Sequence, residues 1–390
     1  MFMTTTIQSN FKSLICSKCG EESNLHSINT FSTCCQKPLS AEYSIPEKFD
    51  KKQLIGRENT MWRYREMLPL FHKENCISLG EGMTPLVNWK NLSSKYGFEN
   101  LMMKDEGLNP TGSFKARGLS MAISKAKELG IESCVIPTAG NAGGAMSAYC
   151  ARAGIKSTVV MPRNTPKLFK EECELYGAEL IMVDGLIDDC GHLAGEIALK
   201  KGAFNMATLK EPYRLEGKKT MGYEIAEQYN WNLPDTIIYP TGGGTGLIGI
   251  WKAFHEMIDL GWLPKDVKLP RMIVVQSDLC SPVCDLFNGL VPMKNYEMSI
   301  ANGLSVPKAF GMDMIMNVLQ NSNGKAIAVS DQEILSGVRE IGKHEGMVIS
   351  PEGAAIWEGL KALVDQKIIS RNEKILLINT GSGFKYMENY

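Results

Sequence analysis

From about residue 76 onward, short apolar runs alternate with longer stretches of mixed polarity. Cys134-Val-Ile-Pro137 is an apolar run that ends in a Gly-rich loop, Thr138-Ala-Gly-Asn-Ala-Gly-Gly144. An Ala-rich helix is expected from there to about Ala153. Ser157-Thr-Val-Val-Met161 reads as the next strand, Pro166 to Tyr176 as a helix, and Glu179-Leu-Ile-Met-Val183 as another strand. The pattern resumes with Thr236-Ile-Ile-Tyr-Pro240, a second Gly-rich loop, Thr241-Gly-Gly-Gly-Thr-Gly246, and a helix to about Leu260. Arg271 to Val275 and Lys374 to Asn379 predict further strands. Strands alternating with helices predict an α/β fold with parallel sheets and right-handed crossovers.

Two stretches depart from this rhythm. Residues 1–45 carry Cys16-Ser-Lys-Cys19-Gly20 and the adjacent pair Cys34-Cys35, and residues 46–75 are charged and aromatic, like a connector. Between the two α/β stretches, Lys210-Glu-Pro-Tyr-Arg-Leu-Glu-Gly-Lys-Lys-Thr220 has a charge density high for a plain linker.

Composition narrows the classes. The chain has 390 residues, 44% of them hydrophobic and 22% charged, which is ordinary globular usage and excludes a disordered or fibrous protein. Forty-two Lys and Arg against 43 Asp and Glu leave a net charge of −1, without the electrostatic footprint of a nucleic-acid-binding protein. The longest apolar runs are too short for a membrane span, and Met1 to Leu14 is too polar for a signal-peptide core. Eleven Cys, scattered and odd in number, suggest reduced thiols and a cytoplasmic setting.

The loop at 242–246 carries the first candidate chemistry. A strand runs into it and a helix runs out. Backbone N–H groups in such a turn form a nest, and the helix N-terminus adds about half a positive charge. Glycines let an oxyanion approach the backbone, so the site suits a phosphate. Gly244-Thr-Gly246-Leu-Ile-Gly249 also fits the dinucleotide fingerprint G-x-G-x-x-G. That fingerprint requires an acidic residue ~20 residues on, and the next strand ends about 30 residues on, near Gln276 and Asp278. A Walker A loop needs G-K-[ST], and Leu247 and Ile248 stand there instead. The second candidate is Asn109-Pro-Thr-Gly-Ser-Phe-Lys115-Ala-Arg-Gly118, which places Lys115 in the first turn of a helix beginning near Ser113. A buried, electropositive setting lowers an amine pKa, as an imine-forming lysine requires.

Taken together, NPTGSFK, the TAGN loop, the GGGTG loop and the closing Asn379-Thr-Gly-Ser-Gly-Phe-Lys385 resemble the fold-type-II pyridoxal-phosphate enzymes. These include tryptophan synthase β chains, cysteine synthases, threonine dehydratases and threonine synthases. The likeness is greatest to the threonine synthases and spans about residues 12–388. Its further marks are the N-terminal Cys knuckle, Leu79-Gly-Glu-Gly-Met-Thr-Pro-Leu86, Tyr213-Arg-Leu-Glu-Gly-Lys-Lys-Thr220 and Pro351-Glu-Gly-Ala-Ala355.

The resemblance implies pyridoxal 5′-phosphate as cofactor and two α/β domains with parallel-rich sheets plus a small N-terminal appendage. Residues 1–45 would form that zinc-ribbon-like appendage, 46–125 with 226–390 the large domain, and 126–225 the small one. Lys115 would carry the cofactor as an imine and later serve as acid and base. Asn141 would bond the cofactor's 3′-oxygen. Gly242, Gly243, Gly244, Thr245 and Gly246 would hold its phosphate, and Thr380 would meet its pyridine nitrogen. Thr138, Ala139 and Gly140 would cradle the carboxylate of an amino-acid substrate. Arg214, with Lys218 and Thr220 as helpers, would take the phosphate of O-phospho-L-homoserine in a γ-elimination and β-hydration that yields L-threonine. A homodimer is expected from family habit.

This chain also departs from the family pattern. Ala116 follows the lysine where threonine synthases usually carry Asp, Ala142 follows Asn141 where Thr is usual, and Gly246 ends the phosphate loop where Asn is common. These residues motivate an alternative, a dehydratase or β-replacement enzyme acting on serine, threonine or a phosphoserine. An NAD-dependent oxidoreductase and a non-catalytic binding paralogue are the remaining readings. As for metal, Cys16-x-x-Cys19-Gly20 is half of a zinc knuckle. Adjacent Cys34 and Cys35 are not expected to point at one ion, although three cysteines with His26 are conceivable. A metal-free remnant is therefore expected, with Cys16, Cys19, Cys34 and Cys35 as the only metal candidates.

Overall fold

A computed structural model describes residues 9–46, 49–293 and 295–390. The first eight residues of the polar N-terminal stretch lie outside the described residues.

Two sheets carry the fold. The smaller has four parallel strands in the order β8-β7-β6-β9: β6 (Ser133–Pro137), β7 (Lys156–Pro162), β8 (Glu179–Val183) and β9 (Phe204–Asn205). The larger has six, in the order β12-β11-β10-β13-β5-β4: β4 (Leu86–Asn88), β5 (Asn100–Asp105), β10 (Thr236–Pro240), β11 (Arg271–Ser277), β12 (Lys325–Val329) and β13 (Lys374–Asn379). All its pairings are parallel except the edge pair β4–β5. Its central strands β10, β11 and β13 are apolar along their middles because helices cover both faces. Ile237, Leu376 and Ile378 face one core cluster, while Ile238, Ile375 and Leu377 face another.

Eleven α-helices surround these sheets among the described residues. The helices that shape the site are α2 (Lys115–Glu128), α3 (Asn141–Ala153), α6 (Tyr213–Gln228), α7 (Thr245–Asp259), α9 (Met312–Asn321) and α11 (Pro351–Asp365). A third, antiparallel sheet of β1 (Phe11–Cys16), β2 (Glu22–Ser23) and β3 (Leu39–Tyr43) forms the N-terminal appendage.

The charged string at 210–220 is not a linker. It opens α6, which is buried along nearly its whole length. Several of its charges are spent on internal pairs: Lys219 lies 2.6 Å from Glu216 and 2.9 Å from Glu256, and Glu224 lies 2.5 Å from Arg117 and 3.0 Å from Lys104. Arg117 also binds Glu106 at 2.6 Å. The connector at 49–75 is likewise packed. Met61, Tyr64, Met67, Leu68 and Leu70 are fully buried, and Tyr64 stacks on Tyr223 of α6 with ring centroids 5.1 Å apart.

Candidate active site

Loops from the C-terminal ends of four strands meet in one place, the crevice where open α/β sheets bind ligands. Residues 106–114 follow β5, 138–140 follow β6, 241–244 follow β10, and Thr380 follows β13. Their contacts are direct. The Phe114 N–H donates to the Thr380 carbonyl at 3.0 Å, and the Ser382 N–H donates to the Gly112 carbonyl at 2.8 Å. A Cβ on Gly381 would stand 3.5 Å from Asn141 Nδ2, so the start of α3 abuts the same edge.

Lys115 opens α2, and its Nζ lies 4.4 Å from the centroid of the Phe114 ring. No carboxylate pairs with it among the described residues. Burial pulls its amine down to about 7, the positive charge of Arg214 pushes the same way, and Glu352 opposes both. Lys218 also lies over Phe114, 4.9 Å from the ring centroid, and its Nζ donates to Thr245 Oγ1 at 2.7 Å. Burial lowers Lys218 too, with the like charges of Lys115 and Arg214 adding to the effect.

Arg214 is 1% exposed. One terminal nitrogen donates to the Met206 carbonyl, while Nε and the other terminal nitrogen lack a hydrogen-bond partner. Such orphaned donors cost about 1–3 kcal/mol each unless a ligand satisfies them. Nearby Glu211 is pushed up to about 7 by burial, against the pull of Arg214. Three buried cationic side chains thus influence one another here, with Glu211, 3.9 Å from Arg214 Nε, and Glu352 as the carboxylates that oppose them.

The glycine loop is tight for steric reasons that differ along its length. A Cβ on Gly242 would meet the Gly303 carbonyl oxygen at 2.2 Å, and one on Gly243 would meet Thr208 Cγ2 at 2.8 Å. Gly244 has φ +76°, the left-handed conformation that favours glycine. One on Gly246, inside α7, would fall 1.8 Å from the Tyr239 hydroxyl. A cavity of about 540 Å³ opens beside Gly243, with Thr208, Lys210, His192, Lys308 and Phe310 among its lining residues.

The 138–141 turn is built differently. Thr138 Oγ1 accepts from the Gly140 N–H at 3.2 Å, and a Cβ on Gly140 would meet open space. Ala139 and Gly140 are both half-buried. Asn141 Nδ2 donates to the Tyr386 hydroxyl at 3.1 Å, and its Oδ1 is buried without a partner. Thr220, by contrast, turns away toward Arg117, from which it accepts at 3.1 Å.

The structure thus assembles Lys115, Lys218, Arg214, Thr245, the 242–246 glycines, the 138–141 turn and Thr380 around one crevice. It also brings in residues that sequence reasoning passed over. The Tyr386 hydroxyl donates to Glu352 Oε1 at 3.2 Å, and the Gly303 N–H donates to the same oxygen at 2.8 Å. Burial raises Glu352 above the usual carboxylate range. Glu352 lay inside a motif quoted for resemblance alone, while Tyr386, Gly303 and Thr208 carried no sequence signal. The arrangement suits a flat ring bearing a phosphate, with an amine poised beside it.

The four N-terminal cysteines also converge. Contrary to expectation, Cys34 and Cys35 do both turn toward one point, and the Sγ atoms of Cys16, Cys19, Cys34 and Cys35 all lie within 4.8 Å of one another.

Comparison with known proteins agrees with this geometry. Residues 77–381 match the family model described as pyridoxal-phosphate dependent enzyme. The chain is 35% identical to a threonine synthase of Methanocaldococcus jannaschii, over 95% of this chain and 92% of that one. It is 31% identical to a threonine synthase of Methanosarcina acetivorans, over 94% and 91% of the two chains. Among solved structures, maize serine racemase superposes with a TM-score of 0.66 at 22% identity, covering 78% of this chain and 93% of that one. An Escherichia coli diaminopropionate ammonia lyase superposes with a TM-score of 0.68 at 18% identity, covering 81% and 89%. At such identities these two structures speak for the fold alone.

Proposed function

Because the chain belongs to the pyridoxal-phosphate-dependent enzymes, and among them to the threonine synthases, we propose that it converts O-phospho-L-homoserine and water into L-threonine and phosphate. The observation that carries this reading is the unpaired Lys115 amine, pulled down to about 7 beside an Arg214 with two unsatisfied donors.

The residues present fit the cofactor. The 242–246 turn is a cradle that a Cβ would fill, Asn141 holds an orphaned Oδ1, and no described carboxylate neutralises Lys115. In this proposal Lys115 anchors the cofactor, and the backbone of Gly242, Gly243, Gly244, Thr245 and Gly246 holds its phosphate with the dipole of α7. Asn141 takes the ring's 3′-oxygen, and Thr380 the pyridine nitrogen. A hydroxyl there, unlike a carboxylate, does not enforce ring protonation. When bound, pyridoxal phosphate supplies an electron-withdrawing ring that stabilises negative charge at the substrate's α-carbon.

The chain does the rest. Thr138, Ala139, Gly140 and Asn141 hold the substrate carboxylate and fix the α-carbon beside Lys115. The free Lys115 amine would move protons at Cα and Cβ, since an amine near 7 can both accept and donate at neutral pH. Arg214 and Lys218 hold the γ-phosphate and stabilise it as the Cγ–O bond breaks and it leaves with the bonding pair. The proton taken from Cβ is delivered to Cγ and the one taken from Cα returns there, while water gives hydroxide to Cβ and its remaining proton to the departing phosphate, which balances the reaction. Lys210 and Lys308 beside Gly243 draw a dianionic substrate toward the crevice.

The test is a direct competition of chemistries. Phosphate release from O-phospho-L-homoserine with threonine formation supports the proposal, whereas 2-oxobutyrate from L-threonine as the main product overturns it. Borohydride reduction followed by mass mapping should mark Lys115 alone. The eleven cysteines are free and no described helix is long and apolar enough to cross a membrane. A cytoplasmic homodimer is the proposed form, to be checked by sedimentation.

A further inference from the structure

The four N-terminal cysteines stand outside the chemistry proposed above. Their thiols are all free, and the Sγ atoms of Cys19 and Cys34 are 3.4 Å apart, with every other pair within 4.8 Å. A tetrahedral ion with metal–sulfur bonds of about 2.3 Å sets its ligand sulfurs about 3.8 Å apart, inside that range.

The backbone explains how adjacent cysteines reach one point. The Gly20 N–H donates to the Cys16 carbonyl at 2.9 Å, and the Gln36 N–H donates to the Ser32 carbonyl at 3.1 Å. Each five-residue turn ends on a left-handed residue, Gly20 at φ +77° and Gln36 at φ +54°. The two turns therefore match. Cys16 and Cys19 occupy the first and fourth positions of one, and Cys35 the fourth position of the other. Ser32 stands at the remaining first position, where its hydroxyl accepts from the Lys37 N–H at 3.0 Å and donates to the Lys37 carbonyl at 3.0 Å. Cys34 supplies the fourth sulfur instead.

The segment between β1 and β3 needs such a link. Across residues 17–38 only Ser32 and Pro38 are buried, and β2 has two residues. Apolar burial alone does not offset the entropy of ordering it. Yet the segment touches the rim of the active-site cavity. Phe31 packs edge-on against Phe310 at 5.8 Å, and Lys37 pairs with Asp313 of α9 at 2.5 Å. Phe310 lines the cavity beside Gly243.

We propose that Cys16, Cys19, Cys34 and Cys35 bind one structural zinc ion that holds the 17–38 segment against this rim. Four thiolates select a soft divalent ion and leave no open position for catalysis. Binding displaces the thiol protons to solvent.

The experiment uses the full-chain holoenzyme, purified under reducing conditions without chelator and then dialysed against metal-free buffer. Elemental analysis should read one zinc per chain, and cobalt(II) substitution should give the visible bands of a tetrahedral tetrathiolate. Cys34→Ser should lose the zinc, keep the bound-cofactor absorbance and raise KM severalfold with kcat little changed. In case that variant fails to fold, titration of the unmodified enzyme with a mercurial should release zinc to a chromogenic dye as the thiols are blocked. Absence of metal after incubation with zinc alone, iron in its place, or a disulfide among the four by mass would overturn the site. Loss of zinc with an unchanged KM would overturn the link to the cavity rim.

Discussion

Lys115 offers the sharpest test, through the pH dependence of cofactor uptake. Only a neutral amine attacks an aldehyde. At about 7 the Lys115 amine is half neutral at pH 7, whereas an ordinary lysine at 10.5 is neutral in about one molecule in 3,000. Apoenzyme mixed with pyridoxal phosphate in a stopped-flow instrument, followed at the absorbance of the bound cofactor, should load faster as pH rises. The rate should level off just above pH 7 and exceed that of a free lysine by about a thousandfold at neutrality. The sign follows from the cause: burial and Arg214 both penalise the charged amine, so raising the pH removes a proton that the folded protein already disfavours. Arg214→Gln removes the like charge and should move the levelling point to higher pH. A rate that climbs about tenfold per pH unit through pH 9 without levelling would show an ordinary amine and refute the reasoning.

Other perturbations read different parts of the structure. Arg214→Gln should also raise KM for O-phospho-L-homoserine by about 10–100-fold, the worth of a charge-assisted hydrogen bond, while leaving the bound-cofactor spectrum in place. Arg117→Met leaves Glu106 buried without its cation and Glu224 with Lys104 alone, and urea titration should show a loss of about 3–5 kcal/mol. Gly217→Ala would push a Cβ to 2.1 Å from the Arg117 carbonyl oxygen, where α6 crosses α2. Because that neighbour is backbone, a loss of about 1–3 kcal/mol is expected in the same titration.

The parallel strands were legible because strands buried on both faces read as unbroken apolar runs. Lys374 to Asn379 is β13 residue for residue, and Cys134 to Pro137 falls one residue short of β6. Helix α4 (Lys167–Leu175) lies within the expected Pro166 to Tyr176. Helix α6 was not legible. It is buried on all sides and carries no apolar stripe, and its charges find partners such as Arg117, Lys252 and Glu256 far away in sequence. The edge strands β4 and β9, of three and two residues, are too short to show a period. Within the site, spacing pointed to Lys115 and the glycines, since both depend on local turn chemistry. The contacts of Tyr386 and Gly303 with Glu352 join segments remote in sequence, which no local pattern encodes. The cysteine geometry escaped because a turn of α-helical width at 32–36 lets neighbouring side chains swing to one side.

Arg214 sits where the chain returns from the small sheet to the large one. Its guanidinium grips the carbonyl of Met206, whose own N–H is bonded to Val135 of β6 at 2.8 Å. The group assigned to the leaving phosphate is therefore tethered to the small sheet while its helix is bedded among α2 and α7. A tilt of one half against the other would tug on that guanidinium directly, so its hold on an anion would register how the two halves are set.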